Sequence, residues 1–299
     1  MRNLGSSHQA RFQSIAEGYE GFIVDLFGVL HDGVRVFPPA LTALRHLRSI
    51  DKKICLLSNS PRRAHQVARR LQAMKINAEC YDVLITSGEL AFSAFAARQP
   101  AFMPPHGSTF VHVGPEELSE LLAGLAFVRV SHASRADFVL ATGAWSSTAN
   151  TAELEEAAAR KLPLYCANPD LSVLIGEREI ACAGVVAADY ESIGGKVYRF
   201  GKPALSCYEN ALKLMALSPD RVLAVGDSLA TDIKGANQAK IASALALSGI
   251  HRGCLIARHG FDRQAFEQLC QKHRARPDLV LPSLGLKEVA FDAGSESGL

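Results

Sequence analysis

Three polar side chains each stand directly after a short apolar run of the sequence: Asp25, Ser58 and Asp227. Runs this short, with β-branched residues inside and turn-forming residues at their ends, are typical of buried strands. Open α/β sheets bind their ligands at the carboxyl ends of parallel strands. If the strands are parallel neighbours, the three side chains meet at one edge of a sheet. Any one of them alone would more commonly only cap a turn.

The residue types in this set indicate phosphoryl transfer. Lys202, in a Gly-Lys-Pro turn, and Asp232, at a predicted helix start, join the three strand ends. Carboxylates that lie close together repel one another, a divalent cation relieves that repulsion, and a site of oxygen ligands suits Mg²⁺. A hydroxyl at a helix N-terminus suits a phosphate, and a lysine neutralises further phosphate charge. One carboxylate then remains to act as the nucleophile.

The elements that must position these residues alternate between strands and helices, which predicts an α/β fold with a parallel sheet and right-handed crossovers. Residues 1–20 are expected to form a lead-in helix. The strands predicted in the first and last parts of the chain are 22–25, 54–57, 82–86, 221–225, 241–247 and 278–281. A second series follows the proline-rich stretch 100–107, with strands at 109–113, 127–130, 138–141 and 164–167 and helices over 115–122 and 150–161.

Four segments resemble, in order and spacing, the four motifs of the haloacid dehalogenase (HAD) superfamily. They are Asp25-x-x-Gly-Val, Ser58-Asn59, Gly201-Lys202-Pro203 and Gly226-Asp227-x-x-x-Thr231-Asp232. The stretches 85–89 and 167–170 are similar to its class IIA hydrolases, the nitrophenylphosphatase and sugar-phosphatase-like group. The resemblance covers the chain from Gly21 to about Val289. It implies a HAD-like Rossmannoid core over residues 1–87 and 199–299, with a parallel sheet flanked by helices, and an inserted α/β cap domain over residues 88–198.

The resemblance also implies a role for each matching residue. Asp25 would attack phosphorus, Ser58 and the backbone of Asn59 would hold the phosphoryl oxygens, and Lys202 would steady both nucleophile and phosphate. The implied ligands of a Mg²⁺ ion are Asp25, the backbone carbonyl of Phe27, Asp227 and Asp232, the last acting directly or through water. The expected function is a Mg²⁺-dependent phosphoric monoester hydrolase. It would form an aspartyl-phosphate intermediate and act on a small phosphorylated metabolite such as a sugar phosphate.

One position departs from the family pattern. Most phosphatases of the superfamily carry a second Asp two residues after the nucleophile, which protonates the leaving oxygen and then activates water, and this chain has Phe27 there. Positioned acid–base groups contribute about 10²–10⁴-fold to a rate. Three interpretations stay open. His31 or Asp32 on the following turn substitutes, the leaving group is good or turnover is slow, or the reaction is not phosphoester hydrolysis.

Two alternative functions follow from Phe27. Aromatic residues at this position occur in the dehalogenase branch, where Asp attacks carbon, so one alternative is a carbon–halogen hydrolase. The pair Asp227 and Asp232 argues against it, because dehalogenases use no metal. The other alternative is a weakly active or inactive protein that binds a phosphometabolite in a regulatory role. Metal-dependent hydrolysis of nitrophenyl phosphate would distinguish an enzyme from such a binder.

Residues of the predicted cap are expected to choose the substrate. Trp145, Asn168 and Asp170 are candidates for the cleft, although a tryptophan packed at the domain interface and an Asn-Pro turn would explain the same residues. The stretch 100–107 and the pair Gly194-Gly195 are candidate hinges. Caps of this class often meet a partner, so a homodimer stays open.

The composition argues against several other classes of protein. The 299 residues are 48% hydrophobic and 21% charged, with a net charge of +2, which favours neither a nucleic-acid nor a membrane partner. A cluster of four arginines on one predicted helix (Arg62, Arg63, Arg69 and Arg70) is expected to be a solvated face.

Seven cysteines without a Cys-x-x-Cys pair predict reduced thiols in a cytoplasmic protein. No apolar run approaches the ~18 residues of a membrane span, and no signal peptide is expected.

Overall fold

The computed structural model of the protein describes residues 14–98, 103–144, 149–257 and 260–285. Within these ranges the strands are β1 (Gly21–Val24), β2 (Lys53–Ser58), β3 (Val83–Thr86), β4 (Thr109–Val113), β5 (Val128–Val130), β6 (Phe138–Ala141), β7 (Pro163–Cys166), β8 (Ser172–Ile175), β9 (Arg178–Ala181), β10 (Lys196–Arg199), β11 (Val222–Gly226), β12 (Ala242–Ala246), β13 (Ile256–Ala257), β14 (Gly260–Phe261) and β15 (Leu279–Leu281).

The helices in the same ranges are α1 (Pro38–Ser49), α2 (Ala64–Ala73), α3 (Ser87–Ala97), α4 (Ala149–Ala159), α5 (Ala183–Ser192), α6 (Leu205–Met215), α7 (Lys234–Gln238), α8 (Arg252–Leu255) and α9 (Arg263–His273). Short 3₁₀ turns occur at Ala78–Cys80, Glu116–Leu122, Ala133–Arg135 and Pro219–Arg221, and one π-helical turn at Leu229–Ile233. No helix in the described part of the chain is both long and apolar enough to span a membrane.

The first sheet is built from the two ends of the chain. Its six strands are all parallel and follow the spatial order β15-β12-β11-β1-β2-β3. Alternate residues of β1 face opposite sides: Phe22 and Val24 pack into one hydrophobic cluster with α1 and α2, and Ile23 packs into another with α6 and α7. Because helices cover both faces, the ligand-binding positions of this sheet are its strand ends.

The second sheet lies between the two halves of the first along the chain. Its five parallel strands follow the order β10-β7-β6-β4-β5. One of its faces packs with α4 and α5, and the other contacts α3 through Ala91 and Phe95. The strands β8 and β9 form a separate antiparallel hairpin. This arrangement is the α/β fold that the sequence predicts, with a second α/β unit inserted into the first; the domain boundaries at residues 88 and 198 stay a prediction.

The strand predictions agree with the structure to within one residue at each end. The helix predicted over 115–122 is present as the 3₁₀ helix Glu116–Leu122. The elements that the sequence reasoning missed include the hairpin β8–β9, the edge strand β10, the small ribbon β13–β14 and the helices α5 and α9. Of the lead-in helix predicted over residues 1–20, residues 14–20 are described, and 14–17 of them are helical. All seven cysteines are free thiols, and Cys254 alone among them is exposed.

Candidate active site

The carboxyl ends of three neighbouring strands place Asp25, Ser58 and Asp227 at one edge of the first sheet. β1 pairs in parallel with β11 on one side and with β2 on the other. Asp25 follows β1, Asp227 follows β11, and Ser58 is the last residue of β2. The backbone N–H of Asp25 donates to the carbonyl of Val225 at 2.9 Å, which continues the strand pairing up to the carboxylate. The prediction that these strand ends are neighbours is therefore confirmed.

Asp25, Asp227 and Asp232 form a cluster in which one carboxylate oxygen of each residue lies within 4.8 Å of the others. Asp232 comes from the π-helical turn after β11, and its Oδ2 accepts from the N–H of Ser228 at 3.1 Å. Asp227 Oδ2 accepts from the N–H of Ile250 at 2.8 Å. Carboxylates at this spacing suit Mg²⁺, which takes oxygen ligands and is usually bound by one or two carboxylates together with waters. The donor set thus suits the ion that the sequence predicts.

Lys202 is buried between two of these carboxylates. Its Nζ lies 2.6 Å from Asp25 Oδ1 and 2.7 Å from Asp232 Oδ1, and only 3% of its side chain is exposed. The lysine belongs to the turn after β10, where the bond to Pro203 is a cis peptide. One ammonium faces three carboxylates, so the cluster keeps an excess of negative formal charge.

The pKa values in the cluster reflect that excess. Burial raises the pKa of Asp25 to about 7; the Lys202 ammonium opposes the rise, and the charge of Asp232 adds to it. Burial, followed by the charge of Asp25, also raises the pKa of Asp227 well above its ordinary value. For Lys202, burial opposes the charged form, but the charges of Asp232 and Asp25 outweigh it and hold its pKa well above normal. A divalent cation would relieve this imbalance.

Asn59 connects the loop after β2 to the lysine turn. Its Oδ1 accepts from the backbone N–H of Lys202 at 2.8 Å and from the hydroxyl of Ser87 at 3.1 Å. Its Nδ2 donates to the carbonyl of Lys202 at 3.1 Å. Beside it, Ser58 is 2% exposed, and its hydroxyl accepts from the N–H of Ser60 at 3.2 Å. The Asn59 side chain therefore fixes Lys202, a role that the sequence analysis did not foresee for it or for Ser87.

Two glycines allow the backbone to pack directly against Asp227. Gly28 adopts a φ of +73°, in the left-handed region that favours glycine, and a Cβ there would overlap the Asp227 carboxylate. A Cβ at Gly249 would overlap the same side chain. The hydroxyl of Ser248 donates to the carbonyl of Gly28 at 2.6 Å and joins the two loops. A larger residue at either glycine would push Asp227 away from its neighbours.

The loop after β1 places Phe27 on the cavity and holds His31 and Asp32 in contacts of its own. The rings of Phe27 and His31 meet edge to face with centroids 4.6 Å apart. His31 is 4% exposed, its Nδ1 accepts from the N–H of Gly33 at 3.0 Å, and burial lowers its pKa to about 4. Asp32 Oδ1 accepts from the N–H groups two and three residues further on. Neither residue is among the described residues that line the cavity. In this arrangement neither side chain reaches the site, so their role as acid or base stays a hypothesis that the structure does not support.

Asn168 and Asp170 follow β7 of the second sheet, yet they line the same cavity as Lys202. Asp170 Oδ1 accepts from Asn59 Nδ2 at 2.8 Å, a contact between the two α/β units. Asn168 Oδ1 accepts from the N–H of Asp170 at 3.3 Å. The Asn-Pro turn therefore has both roles that the sequence left open, as a turn and as part of the cleft. Trp145 lies outside the described residues.

The cavity has a volume of about 850 Å³ and joins these groups. Apolar residues of the hairpin β8–β9 form part of its wall, and Arg62 and Arg70 line it from the first unit. Arg70 is exposed, as a solvated arginine face predicts, whereas Arg62 is half-buried. A third arginine of the cluster, Arg63, instead pairs with Glu89 at 2.8 Å. The spacing of the arginines along the sequence could not show that the second α/β unit lies over the surface that carries Arg62 and Arg70.

Comparisons with protein families match most of the chain to one superfamily. A family model described as haloacid dehalogenase-like hydrolase matches residues 22–128, and another of the same description matches residues 146–240. A third, described as HAD-hydrolase-like, matches residues 199–286.

Curated proteins and solved structures agree with these matches. Human chronophin is 27% identical over 246 residues, which cover 78% of this chain and 82% of chronophin. D-glycerol 3-phosphate phosphatase of Mycobacterium tuberculosis is 29% identical over 246 residues, covering 80% of this chain and 66% of that protein. A haloacid dehalogenase-like hydrolase from Brucella suis has a TM-score of 0.77 and 29% identity, covering 92% of this chain and 98% of its own. A p-nitrophenyl phosphatase from Archaeoglobus fulgidus shares the fold, with a TM-score of 0.68 and 22% identity over 89% of this chain and 97% of that one.

Proposed function

The chain belongs to the haloacid dehalogenase superfamily, and on that premise we propose that it is a Mg²⁺-dependent phosphatase. It hydrolyses monoesters of small phosphorylated metabolites through an aspartyl-phosphate on Asp25. The observation that carries the proposal is the cluster in which Lys202 bridges Asp25 and Asp232 beside Asp227. Similar proteins named as a glycerol-phosphate phosphatase and a sugar-phosphatase support the same class of reaction.

The residues of the chain divide the work of phosphoryl transfer. Asp25 presents a carboxylate oxygen at the end of a buried strand, and Lys202 holds that carboxylate in place at 2.6 Å. The hydroxyl of Ser58 and the backbone N–H of Asn59 are assigned to the phosphoryl oxygens. Fixed donors of this kind stabilise charge that develops on those oxygens in the transition state.

Asp25, Asp227 and Asp232, with the carbonyl of Phe27, are the residues that would hold Mg²⁺. When bound, the ion supplies positive charge that screens the phosphate from the carboxylates and polarises the phosphoryl oxygens. Without it, the three clustered carboxylates would repel a phosphate dianion. Turnover is therefore expected to depend on the metal.

The cavity favours a small anionic ester as substrate. Its volume of about 850 Å³ lies in the range of small-ligand sites. Arg62 and Arg70 add positive charge on its wall, and the guanidinium of Arg62 lies 3.7 Å from the exposed carboxylate of Glu117. Leu171, from the second unit, adds an apolar surface. A sugar or polyol phosphate fits this mixture of charge and apolar wall.

The test is the hydrolysis of p-nitrophenyl phosphate with Mg²⁺ and with EDTA. We expect nitrophenol release that requires the metal and that Asp25→Asn abolishes, since an amide is not a useful nucleophile. Arg221→Gln is a control, because Arg221 pairs with Glu20 on an exposed surface. Release that persists in EDTA, or in Asp25→Asn at near-normal rates, would contradict the proposal.

The presence of Phe27 favours one second candidate, a protein that binds a phosphometabolite with little turnover. The chain keeps the carboxylates and the lysine of the site but has no acid two residues after the nucleophile, where most phosphatases of the family carry one. Saturable binding of a phosphate ester with Mg²⁺, combined with no hydrolysis of nitrophenyl phosphate, would identify it. The carbon–halogen hydrolase is disfavoured, because three clustered carboxylates serve a cation rather than a halide.

A further inference from the structure

The proposed reaction needs a proton donor for the leaving oxygen. Most phosphatases of the family carry that donor two residues after the nucleophile, where this chain has Phe27, which cannot donate a proton. We propose that Asp170, which reaches the site from the inserted α/β unit, protonates the leaving oxygen and then deprotonates the attacking water. This inference rests on the proposed function and names a catalytic residue for it. It assigns to a carboxylate 143 positions further along the chain the work of the residue that Phe27 replaces.

The position of Asp170 is fixed from both units. In the second unit its N–H donates to Asn168 Oδ1 at 3.3 Å, and its carbonyl accepts from the N–H of Gly184, at the start of α5, at 3.0 Å. A Cβ at Gly184 would overlap that carbonyl, so the helix can approach only because the residue is glycine. The Asp170 carboxylate then extends to the first unit, where Asn59 Nδ2 donates to it at 2.8 Å.

These contacts bring Asp170 beside the reacting groups. Asn59, which binds its carboxylate, is also the residue that fixes Lys202, and Lys202 holds the nucleophile. The charges of Asp25 and Asp170 interact across the cavity that both residues line. Among the described residues lining the cavity, the other carboxylates near the nucleophile are the two predicted metal ligands. His251 and His273 also line the cavity, but burial lowers the pKa of both rings and the Nε2 of His251 accepts from the N–H of Leu229, so Asp170 is the carboxyl that remains for acid–base work.

The surroundings suit a group that gives and takes a proton near neutral pH. Burial raises the pKa of Asp170 to about 6, against the opposing effects of Lys202 and the Asn59 hydrogen bond. The titratable and charged groups that face it are Asp25, Lys202 and Asp232 from the first unit and Cys166 and Cys182 from the second. A pKa close to the working pH is the condition under which a single carboxyl serves both as acid and as base.

The proposed chemistry balances. In the first step an Asp25 oxygen forms a bond to phosphorus while the bond from phosphorus to the leaving oxygen breaks, and the proton of the Asp170 carboxyl passes to that oxygen. In the second step the Asp170 carboxylate takes a proton from water, whose oxygen bonds to phosphorus as the bond to Asp25 breaks. Inorganic phosphate is released, and both aspartates return to their starting states.

The test compares Asp170→Asn with the wild-type chain on an alkyl ester, glycerol phosphate, and on p-nitrophenyl phosphate. We expect kcat/KM to fall by about 10²–10⁴-fold for the alkyl ester. It should fall far less for the nitrophenyl ester, because nitrophenolate leaves without a proton. Since the second step then lacks its base, the variant should accumulate phosphorylated Asp25 and release a burst of about one nitrophenolate per site.

A second variant tests whether Asp170 does the work vacated at position 27. Adding Phe27→Asp to Asp170→Asn should restore kcat/KM for glycerol phosphate and remove the burst. Asp189→Asn, an exposed carboxylate on α5, is the matched control and should leave both esters unaffected. Thermal melts and circular dichroism establish that each variant is folded.

The outcomes separate this inference from the proposed function. Equal losses on both esters without a burst would show that Asp170 only positions Asn59 and would overturn the inference. Retention of glycerol phosphate turnover by Asp170→Asn would also overturn it. In both cases the wild-type chain would remain a phosphatase, whereas absence of Mg²⁺-dependent turnover by the wild-type chain on both esters would overturn the proposed function and the inference together.

Discussion

Replacing the nucleophile should stabilise the metal-free protein while it stops turnover. In the folded chain Asp25 is 8% exposed and shares a buried cluster with Asp227 and Asp232, with one lysine against three carboxylates. Asp25→Asn keeps the shape and an oxygen for Lys202 but removes one negative charge from an uncompensated set. The variant should therefore unfold at a higher urea concentration than the wild-type chain when no metal is present.

The magnitude follows from the pKa of Asp25. It is 3.8 in the unfolded chain and about 7 in the folded protein, so the folded state binds more protons between these values. The free energy of unfolding therefore falls as pH rises from about 4 to about 7, and it stays low above that window. The full loss is about 4 kcal/mol, of which about 2.5 kcal/mol falls between pH 5 and pH 8. Asn at this position does not titrate, so the variant escapes this loss.

The assay is urea unfolding of both proteins in EDTA at pH 5 and pH 8, followed by circular dichroism. Other buried groups, such as His31, His112 and His251, have lowered pKa values and make the free energy of unfolding rise with pH. Their contributions are the same in both proteins, so they cancel when the two proteins are compared at each pH. Mg²⁺ should stabilise the wild-type chain more than the variant, because binding to the folded state alone adds to its stability. A free-energy difference between the proteins that is the same at both pH values would refute the reasoning.

The remaining predictions concern the residues around the nucleophile. Lys202→Met should lower kcat by at least about 10²-fold and destabilise the folded protein by about 3–5 kcal/mol, because it leaves buried carboxylates unpaired; steady-state kinetics and urea unfolding measure both. His31→Gln should keep kcat within a few-fold of wild type, since His31 contacts Phe27 and its own loop, and a large loss would restore it as an acid–base candidate. Arg62→Ala should raise KM several-fold with little change in kcat, and the effect should shrink at high salt because the interaction with an anionic substrate is screened.

The part of the site that the sequence predicted is the part that depends on strand ends. Asp25 and Asp227 follow apolar runs in a chain of alternating strands and helices, and parallel pairing of β1 with β11 is enough to bring them together. Clustered carboxylates then indicate a bound metal ion, and a hydroxyl and a lysine beside them indicate a bound phosphate. Lys202 could not be placed by periodicity, because its turn lies outside the strands of the first sheet, and the motif resemblance supplied it.

Two of the missed elements, the hairpin β8–β9 and the edge strand β10, lie in the inserted unit, where burial patterns are weak. The residues of β8 and β9 are half-buried or exposed throughout, so no alternation marks them as strands. The hairpin matters because it lines the cavity and contacts the loop after β1: the N–H of Gly176, at its tip, donates to the carbonyl of Asp32 at 2.9 Å. Local sequence also cannot show a contact such as that between Asn59 and Asp170, 111 positions apart.

The substitution at Phe27 and the placement of Asp170 have a joint consequence for how the enzyme would work. A Cβ at Gly33 would lie 3.0 Å from the Phe27 ring and 3.2 Å from Ile175 of β8, so the position that holds an acid in related phosphatases here faces the hairpin of the inserted unit. An acid fixed on the first unit would act in every arrangement of the two units. An acid carried by the second unit acts only while the Asn59–Asp170 contact is made. With Asp170 as the proposed acid, proton transfer would be coupled to the contact between the two units, and an open arrangement would admit substrate and water without supplying the proton that an alkoxide needs to leave.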